Sequence, residues 1–424
     1  MVELPPELIA PGSSPAVDLP IPPASKSGWP WDPRGPGLRP LASGNWPRIT
    51  IVTPSFNQAE FLEETIRSVL LQDYPNLEYI VIDGGSTDGS VEIIREYERW
   101  LSYWVSEPDQ GQSHAINRGF SRATGEVIAW LNSDDLLLFG ALAAIAQAVL
   151  DHPEAVLIYG EANLVRRDSS FMNKNLSRAY DRRWLLEQGN PVPQPSAFIR
   201  RRAFSEVRGL DENLHFAMDY DLWFRLGDYG QVVYIEKPLS SMRTYPEAKT
   251  SSGDHRFFLE VRQVVERYGG REIPLLFQAW LILIHWRKAV AAYRGRDWAA
   301  GQRELGYIIR NVPAWQAPDD LAQRLVDQLW ALVLQHEAAE QDVLELGEAI
   351  SRHLPPEVDS ANAVRSRMMS LLSQAAAFSF FRKRNTVGVL RSCWRAVGWD
   401  RRCLMNRGLW AISIRSLSRL GASS

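Results

Sequence analysis

The sequence is poor in cysteine, with two in 424 residues. Both, Cys393 and Cys403, lie near the C-terminal end, so a disulfide framework is excluded and a reducing compartment such as the cytoplasm is expected. Neither end shows the charged and then apolar segments that are typical of a secretion signal. The most apolar run, residues 273–286, contains Pro274 and Gln278 and is shorter than the ~20 residues that span a bilayer.

Two common phosphate-binding loops are also missing from the sequence. The turn DGGSTDGS, residues 83–90, does not have the spacing of GxGxxG, and the chain contains no GK[ST]. Dinucleotide oxidoreductases and P-loop NTPases are therefore disfavoured. A nucleotidyltransferase is disfavoured as well, because it would carry a glycine-rich basic loop after the first strand, where this chain reads TPSFNQ.

An excess of positive charge is absent from the chain as a whole, whose formal net charge is −3. Residues 377–424 nevertheless carry ten Lys and Arg against one acid, which leaves the remainder at −12. No motif supports nucleic-acid binding. The basic tail has two interpretations: a surface that lies on an anionic membrane, or a solvated helical bundle that packs on the acidic domain. Its basic and tryptophan residues are Arg382, Lys383, Arg384, Trp394, Arg401, Arg402, Trp410, Arg415 and Arg419.

The order of local patterns predicts three regions. Residues 1–47 hold 12 of the 26 prolines and predict an extended, largely disordered leader that drapes over the first domain. Residues 48–268 alternate strands with helices of 10–15 residues, which predicts an α/β domain with a mostly parallel sheet. Residues 269–424 predict a mainly helical C-terminal region. The predicted strands are 49–52, 77–83, 104–107, 126–131 and 155–160.

Acidic residues follow the strands of the predicted sheet, at the carboxyl ends where such sheets bind ligands. Asp83 ends the second strand, and Asp134 and Asp135 come directly after an apolar strand. Mg²⁺ and Mn²⁺ are often bound by one or two carboxylates together with substrate phosphates. The pair therefore predicts a metal under a diphosphate, with capping of the following helix as the alternative. Asp219 starts a later helix and is either its N-cap or a general base.

Three stretches of the sequence resemble family 2 glycosyltransferases of the GT-A fold. They are residues 53–90, from TPSFNQ to DGGSTDGS; residues 107–135, from EPDQGQ to LNSDD; and residues 218–226, MDYDLWFRL. The resemblance covers roughly 48–250. It implies a nucleotide-sugar donor (a UDP-, dTDP- or GDP-sugar), a divalent metal (Mg²⁺ or Mn²⁺) and a single displacement with inversion at the anomeric carbon.

The resemblance also implies roles for individual residues. For the donor, Pro54 and Phe56 would line the nucleoside pocket, and Asp83 would contact the base or ribose. Asp135, helped by Asp134, would bind the metal and the diphosphate, and Arg243 would contact the pyrophosphate. Asp219 would be the catalytic base, and Gln194 and Trp223 would face the acceptor. For Trp223 a role in the core is an equally open alternative. Asp221, two residues beyond Asp219, is a second candidate for the base.

The chain departs from the family pattern at two positions. Asn132 stands where the metal motif usually begins with an acid. Arg243-Thr244-Tyr245 stands where relatives often have Arg-x-His, which removes a histidine ligand and leaves Arg243, with Lys249, for the pyrophosphate. The expected function is transfer of a sugar to a glycan or lipid-linked acceptor in cell-envelope or exopolysaccharide biosynthesis. The departures leave open a catalytically silent sugar-nucleotide-binding protein of the same fold.

Overall fold

The protein divides into two compact units, Met1–Leu276 and Phe277–Ser424. The computed structural model describes residues 19–32, 46–249, 254–335, 337–358, 360–383, 385–400, 403 and 405–421. Most of the proline-rich leader lies outside these residues. So do Arg384, Arg401 and Arg402 of the basic tail, together with the side chain of Arg419.

The first unit is built on one sheet. Its strands are β1 (Ile49–Ser55), β2 (Leu77–Asp83), β3 (Tyr103–Ser106), β4 (Val127–Trp130), β5 (Leu136–Leu137), β6 (Ala155–Val165), β7 (Phe171–Lys174), β8 (Ala197–Arg200) and β9 (Gln231–Arg243). Their order in the sheet is β3-β2-β1-β4-β8-β6-β9-β5, with β7 paired to β6. The four strands β3, β2, β1 and β4 are parallel to one another, and β6 is parallel to β9, while β8 pairs antiparallel with β4 and β6, β7 with β6, and β5 with β9.

Helices cover the sheet of the first unit. They are α1 (Ala59–Leu70), α2 (Ser90–Tyr97), α3 (Gln112–Arg122), α4 (Ala141–Asp151), α5 (Arg182–Glu187), α6 (Arg201–Glu206), α7 (Met218–Tyr229) and α8 (His255–Arg267). Every residue of β1 and β4 is buried, which is why these strands read as nearly continuous apolar runs in the sequence. The core between sheet and helices includes Ile51, Ile66, Val81 and Ile145.

The α/β class that the sequence predicts is confirmed, together with the helical character of the C-terminal region. The predicted strand 77–83 coincides with β2, and the other four predicted strands overlap β1, β3, β4 and β6. The sequence predicts none of the strands β5, β7, β8 and β9. β9 contains the sequence Glu236-Lys237-Pro238, whose residues are exposed, so its apolar pattern is broken in the middle.

Part of the predicted leader, residues 19–32, is packed on the first unit. The buried guanidinium of Arg67 in α1 donates to the carbonyl oxygens of Pro20 (2.9 Å) and Pro30 (3.4 Å) and lies over the ring of Trp31. Trp29 donates its indole N–H to the carbonyl of Leu137 in β5 (2.8 Å). These bonds compensate a buried cation, so this part of the leader is held in place.

The second unit is helical throughout its described residues. Its helices are α9 (Leu275–Arg294), which begins at the end of the first unit, α10 (Trp298–Asn311), α11 (Pro318–Leu334), α12 (Glu340–Arg352), α13 (Ala361–Arg382), α14 (Thr386–Trp399) and α15 (Arg407–Gly421). The helices α11, α12, α14 and α15 all contact α13. Among the described helices, none has the length and apolar character needed to cross a membrane.

Candidate active site

The carboxyl ends of the parallel strands lie side by side. Ser55, the last residue of β1, is level with Asp83 in β2, and Asp83 is level with Ser106 in β3. The next strand in this row, β4, ends at Trp130 and leads into residues 132–135, which we call the carboxylate loop. Side chains that were predicted at strand ends are therefore gathered along one edge, here called the carboxyl edge.

Asp83 holds the turn that follows β2. Its carboxylate is fully buried and accepts hydrogen bonds from the N–H groups of Gly85 (3.1 Å) and Ser86 (2.9 Å) and from the hydroxyls of Ser86 and Ser106 (both 2.6 Å). Gly85 adopts a φ of +85°, which favours glycine. The carboxylate thus shapes the pocket wall, and its contact with a base or ribose stays a prediction.

An exposed aromatic ring stands beside this turn. Pro54 is buried in β1, whereas the side chain of Phe56 is 60% exposed although it is large and apolar. A Cβ on Gly84 would lie 3.2 Å from the Phe56 ring and 2.9 Å from the carboxylate of Asp109, so a larger residue would require both side chains to shift. A solvent-facing ring against a glycine-rich turn offers a stacking surface for a planar base.

Side chains on and just after helix α1 form hydrogen bonds with the backbone of the carboxylate loop and of the segment after it. Thr65 donates its hydroxyl to the carbonyls of Ser133 (3.0 Å) and Asp135 (2.8 Å). One and two turns further on, Ser68 accepts from the N–H of Leu137, and Gln72 donates to the carbonyl of Leu138. Buried polar side chains on α1 and just after its end therefore fix the path of the backbone that carries Asp134 and Asp135.

The two carboxylates of this loop are poorly compensated. Asp135 is buried and accepts from the backbone N–H of Arg243 (2.9 Å) and from the amide of Asn132 (3.2 Å), and Asp134 accepts from the hydroxyl of Tyr245 (2.8 Å). Burial, together with the charge of Asp134, raises the pKa of Asp135 well above its usual value. Burial also raises the pKa of Asp134. A cation bound between them would relieve this cost.

Asn132, which replaces the expected acid, belongs to a chain of amides. Lys249 donates to the side-chain oxygen of Gln112 (2.8 Å), and Gln112 donates to that of Asn132 (2.7 Å). Asn132 in turn donates to Asp135 and to the side-chain oxygen of Gln194 (3.1 Å). The chain of hydrogen bonds joins the carboxylate loop to Lys249 and orients Asp135. An acid at position 132 could donate a hydrogen bond to Asp135 only if it were protonated.

The guanidinium of Arg243 is buried and bonded to other groups of the protein. Its side chain is 1% exposed and forms an ion pair with Glu64 (3.1 Å). It also donates to the carbonyls of Asp134 (2.8 Å) and Arg167 (2.7 Å). A pyrophosphate could reach this charge only if these bonds opened, so the predicted contact stays a prediction, and Lys249 is the more accessible cation at this edge.

Asp219 is the second residue of α7 and has few compensating partners. The segment before α7 meets the start of α3 at the carboxyl edge, where Ser113 donates to the carbonyl of Leu214 (2.9 Å). The carboxylate of Asp219 accepts from Asn190 (3.3 Å), and burial raises its pKa to about 6 despite the nearby charge of Lys249. Burial lowers the pKa of Lys249 to about 8, although its side chain reaches solvent.

Asp221, the other candidate for the base, lies in a different environment. Its carboxylate is fully buried and forms ion pairs with Arg225 (2.8 Å) and Arg267 (2.7 Å). The hydroxyl of Tyr268 donates to the same group (3.1 Å). Two cations and a hydroxyl occupy both oxygens of this carboxylate and join α7 to the end of α8, so Asp221 is the weaker candidate for the base.

The two residues predicted to face the acceptor are buried. Trp223 is fully buried and stacks on Trp130, with ring centroids 5.9 Å apart, which is the core role that the sequence left open for it. Gln194 is 8% exposed and donates to the carbonyl of Trp130 (2.7 Å) while accepting from Asn132. It supports the floor of the site rather than its open face.

The donor set at the carboxylate loop suits a hard cation that is bound jointly with a substrate. Within the described ranges no group of three or more His, Cys, Asp and Glu side chains could hold a metal on its own. Mg²⁺ and Mn²⁺ do not need such a cage, because they commonly bind through one or two carboxylates plus phosphate oxygens and water. Asp134 and Asp135, with raised pKa values, fit that requirement.

Two polar residues of the site are not identified by any pattern in the sequence. Gln112 links Asn132 to Lys249, and Glu260 in α8 accepts hydrogen bonds from the backbone before α7. Each acts on residues more than ten positions away in the chain, so no local pattern could have marked it. A helical pattern alone predicts an exposed acid at Glu260.

Comparisons with known proteins identify relatives of this chain. The model of the family described as Glycosyl transferase family 2 matches residues 50–208. An uncharacterised glycosyltransferase of Mycobacterium tuberculosis is 30% identical over 242 residues, which cover 54% of this chain and 88% of that relative. TuaG of Bacillus subtilis, named for teichuronic acid biosynthesis, is 38% identical over 95 residues, 22% of this chain and 38% of TuaG.

A comparison with solved structures gives a partial match. TarS residues 1–349 of S. aureus, in complex with UDP-GlcNAc, superpose with a TM-score of 0.46 at 14% identity, covering 76% of this chain and 91% of TarS 1–349. Function is therefore argued from the residues of this chain and from its sequence relatives. On the family match and the extent of the mycobacterial relative, the chain belongs to the family 2 glycosyltransferases, enzymes that use nucleotide sugars.

Proposed function

We propose that the protein transfers a sugar from a nucleotide-sugar donor to a hydroxyl group of a glycan or lipid-linked acceptor, with inversion at the anomeric carbon. The observation that carries the proposal is the pair Asp134 and Asp135. Both carboxylates lie at the edge where parallel strands bind ligands, each with few compensating partners, and a cation bound between them would offset the cost of burying their charge.

The donor would be held by the loops after β1 and β2. Phe56 offers its exposed ring to the base, Pro54 shapes the pocket beneath, and the buried Asp83 fixes the turn that the nucleoside would contact. The chemistry of this pocket suits a UDP-, dTDP- or GDP-sugar, since each carries a planar base, a ribose or deoxyribose, and a diphosphate. The diphosphate would lie over the carboxylate loop.

Asp135, with Asp134, would hold Mg²⁺ or Mn²⁺ against that diphosphate. When bound, such a cation offsets the negative charge that grows on the departing nucleoside diphosphate. The protein contributes Lys249 at the same edge, joined to the carboxylate loop through Gln112 and Asn132.

Asp219 would accept the proton of the attacking acceptor hydroxyl at a carboxylate oxygen. Its pKa of about 6 suits a general base at neutral pH, because the group is ionised there and yet more basic than an ordinary aspartate. Direct attack by the hydroxyl on the anomeric carbon breaks the bond to the diphosphate oxygen, so one displacement inverts the configuration.

The names of two relatives and the exposed residues of the second unit support a cell-envelope acceptor at a membrane. TuaG is named for teichuronic acid biosynthesis and RfbC of Myxococcus xanthus for O-antigen biosynthesis, which supports a cell-envelope glycan as the acceptor. In α14 and α15, Trp394 (78% exposed) and Trp410 (52% exposed) accompany the exposed Arg391, Arg395 and Arg415. This combination suits peripheral contact with anionic lipid.

A panel of nucleotide sugars tests the proposed reaction. Full-length protein is incubated with each donor, with and without Mn²⁺, and release of nucleoside diphosphate is measured. One donor should be consumed in a metal-dependent way, and the product should carry the inverted anomeric configuration by NMR. Failure of every UDP-, dTDP- and GDP-sugar to bind or react would contradict the proposal.

Vesicle binding tests the proposed membrane contact. Deleting residues 377–424 would remove the whole hydrophobic cluster that contains Ala377, Val389, Ala396 and Leu409, so point substitutions are cleaner. Trp394→Ala with Trp410→Ala should weaken binding to phosphatidylserine vesicles, and high salt should do likewise, because screening acts within ~10 Å at 0.1 M. Binding that is equal for neutral and anionic vesicles would contradict it.

A further inference from the structure

We infer that Glu260 is a positioning residue for Asp219, and this inference rests on the proposed role of Asp219 as the base. Glu260 lies in α8, outside the segment that matches the family. Its carboxylate accepts three consecutive backbone N–H groups, those of His215 (3.0 Å), Phe216 (2.6 Å) and Ala217 (3.0 Å). We call this arrangement the Glu260 cap.

The Glu260 cap sets where α7 begins. Ala217 is the N-cap residue of α7, and its carbonyl accepts the N–H of Asp221, the first bond of the helix. Helix starts leave N–H groups without partners and carry partial positive charge, so an anion bound there stabilises the turn. Asp219 lies two residues beyond Ala217, and its direction therefore follows the turn that Glu260 fixes.

The carboxylate of Asp219 is held only weakly by other side chains. Asn190 donates to its carboxylate at 3.3 Å, close to the limit of a hydrogen bond. A carboxylate that must accept a proton at the right moment cannot be tied by strong side-chain partners, as Asp221 is. Its orientation has to come from the backbone, and the three bonds of the Glu260 cap supply that.

Cations near the cap complement the charge of Glu260. Lys249 and Arg256 each lie near the ring of Phe216, at 5.3 and 5.6 Å from its centroid, and Glu260 acts electrostatically on both. Lys249 in turn acts on Asp219. The same few residues thus connect the base to α8 and, through Gln112, to the carboxylate loop.

An ordinary structural cap would behave differently from a positioning residue. Loss of a cap lowers stability and leaves the rate per folded molecule unchanged. Misplacement of a catalytic group by about 1 Å can cost ~100-fold in rate while leaving donor affinity intact. Measuring both kcat and donor affinity for the folded variant therefore separates the two roles.

The test uses three variants of the full-length protein. Glu260→Ala removes all three acceptor contacts, whereas Glu260→Gln keeps one oxygen that can still accept from Phe216 and Ala217. Glu266→Ala is the matched control, an exposed acid on the same helix. Transfer rate, affinity for nucleoside diphosphate with Mn²⁺, and hydrogen exchange of peptides spanning 213–222 are measured below the melting temperature.

We expect Glu260→Ala to lower kcat at least about tenfold, with diphosphate affinity unchanged within about twofold and faster exchange in 213–222. Glu260→Gln, which keeps one acceptor oxygen, should have a rate clearly between those of Glu260→Ala and wild type, and Glu266→Ala should match wild type. If Glu260→Ala does not fold, the partial loss in Glu260→Gln decides, since a wild-type rate there contradicts the inference.

Asp219→Asn is assayed in parallel to separate the two claims. If Asp219→Asn is inactive while both Glu260 variants turn over at the wild-type rate, the positioning role is wrong and the proposed function stands. If Asp219→Asn transfers sugar normally, the assignment of the base and the role of Glu260 fall together.

Discussion

Two sets of carboxylates in the first unit differ in what surrounds them. Asp221 faces Arg225 and Arg267 and is fully compensated, whereas Asp219, on the same helix, has a pKa raised to about 6. The carboxylate loop resembles Asp219, since burial outweighs its partners. The contrast indicates that compensated acids join elements of the fold, while poorly compensated acids are kept for ligands or protons.

The largest expected effect is on turnover in Asp219→Asn. The amide keeps the size of the side chain and can still accept from the N–H groups at the helix start, but it cannot take a proton from the acceptor. General base catalysis typically contributes 10²–10⁴ in rate, so transfer should fall at least ~100-fold while donor affinity is kept. Steady-state kinetics with the cognate donor measure both, and a near wild-type rate would make Asp219 only a structural residue.

Next in size is the loss of metal-dependent binding in Asp135→Ala. Mn²⁺ should strengthen binding of the nucleoside diphosphate to wild type, and at a metal concentration 100 times the Kd it should stabilise the fold by ~2.7 kcal/mol. Both effects should vanish in Asp135→Ala and persist, weakened, in Asp134→Ala. Calorimetry checks the first and thermal melting the second; an unchanged response to Mn²⁺ would remove Asp135 from the metal site.

Asp221→Asn should show the opposite pattern, with stability lost and chemistry kept. Removing one partner of a buried ion pair leaves the others uncompensated, and the expected cost is about 3 kcal/mol in the free energy of unfolding. Below its melting temperature the variant should keep kcat within a few fold. Denaturant titration and kinetics on the same sample test this, and a rate loss as large as that of Asp219→Asn would erase the distinction between the two acids.

The smallest effect is a gain of stability in metal-free Asp135→Asn. Because the pKa of Asp135 is raised in the folded state, its ionisation costs free energy at neutral pH, and the cost disappears below the unfolded value of 3.8, where the group is protonated in both states. A tenfold change in the protonation equilibrium corresponds to about 1.4 kcal/mol. The variant should melt above wild type at pH 7.5 without metal and lose that advantage near pH 4.

Much of the first unit could be predicted because its local patterns agree with its fold. β1, β2 and β4 are buried strands and read as apolar runs, and α1 and α3 follow them at the expected spacing. β8 has four residues and β9 is interrupted near Pro238, so neither gives a clear pattern. Strand order beyond β4 depends on antiparallel pairings that no local signal specifies.

The acids of the site could be predicted and their partners could not. Asp135 and Asp219 stand out because a carboxylate after a buried strand or at a helix start needs an explanation. The ion pair of Arg243 with Glu64 joins residues 179 positions apart, and it withdraws a charge that the sequence offered to the pyrophosphate. The compensation of Asp221 by Arg267 is of the same kind.

The dependence of kcat/KM on pH tests the central claim most directly, measured for wild type and for Asp221→Asn with saturating Mn²⁺. If the poorly compensated Asp219 is the base, the rate should fall as pH drops through about 6, because the carboxylate becomes protonated. The same acidic limb should appear in Asp221→Asn. A rate that holds constant down to pH ~4, or a limb that disappears only in Asp221→Asn, would contradict the account.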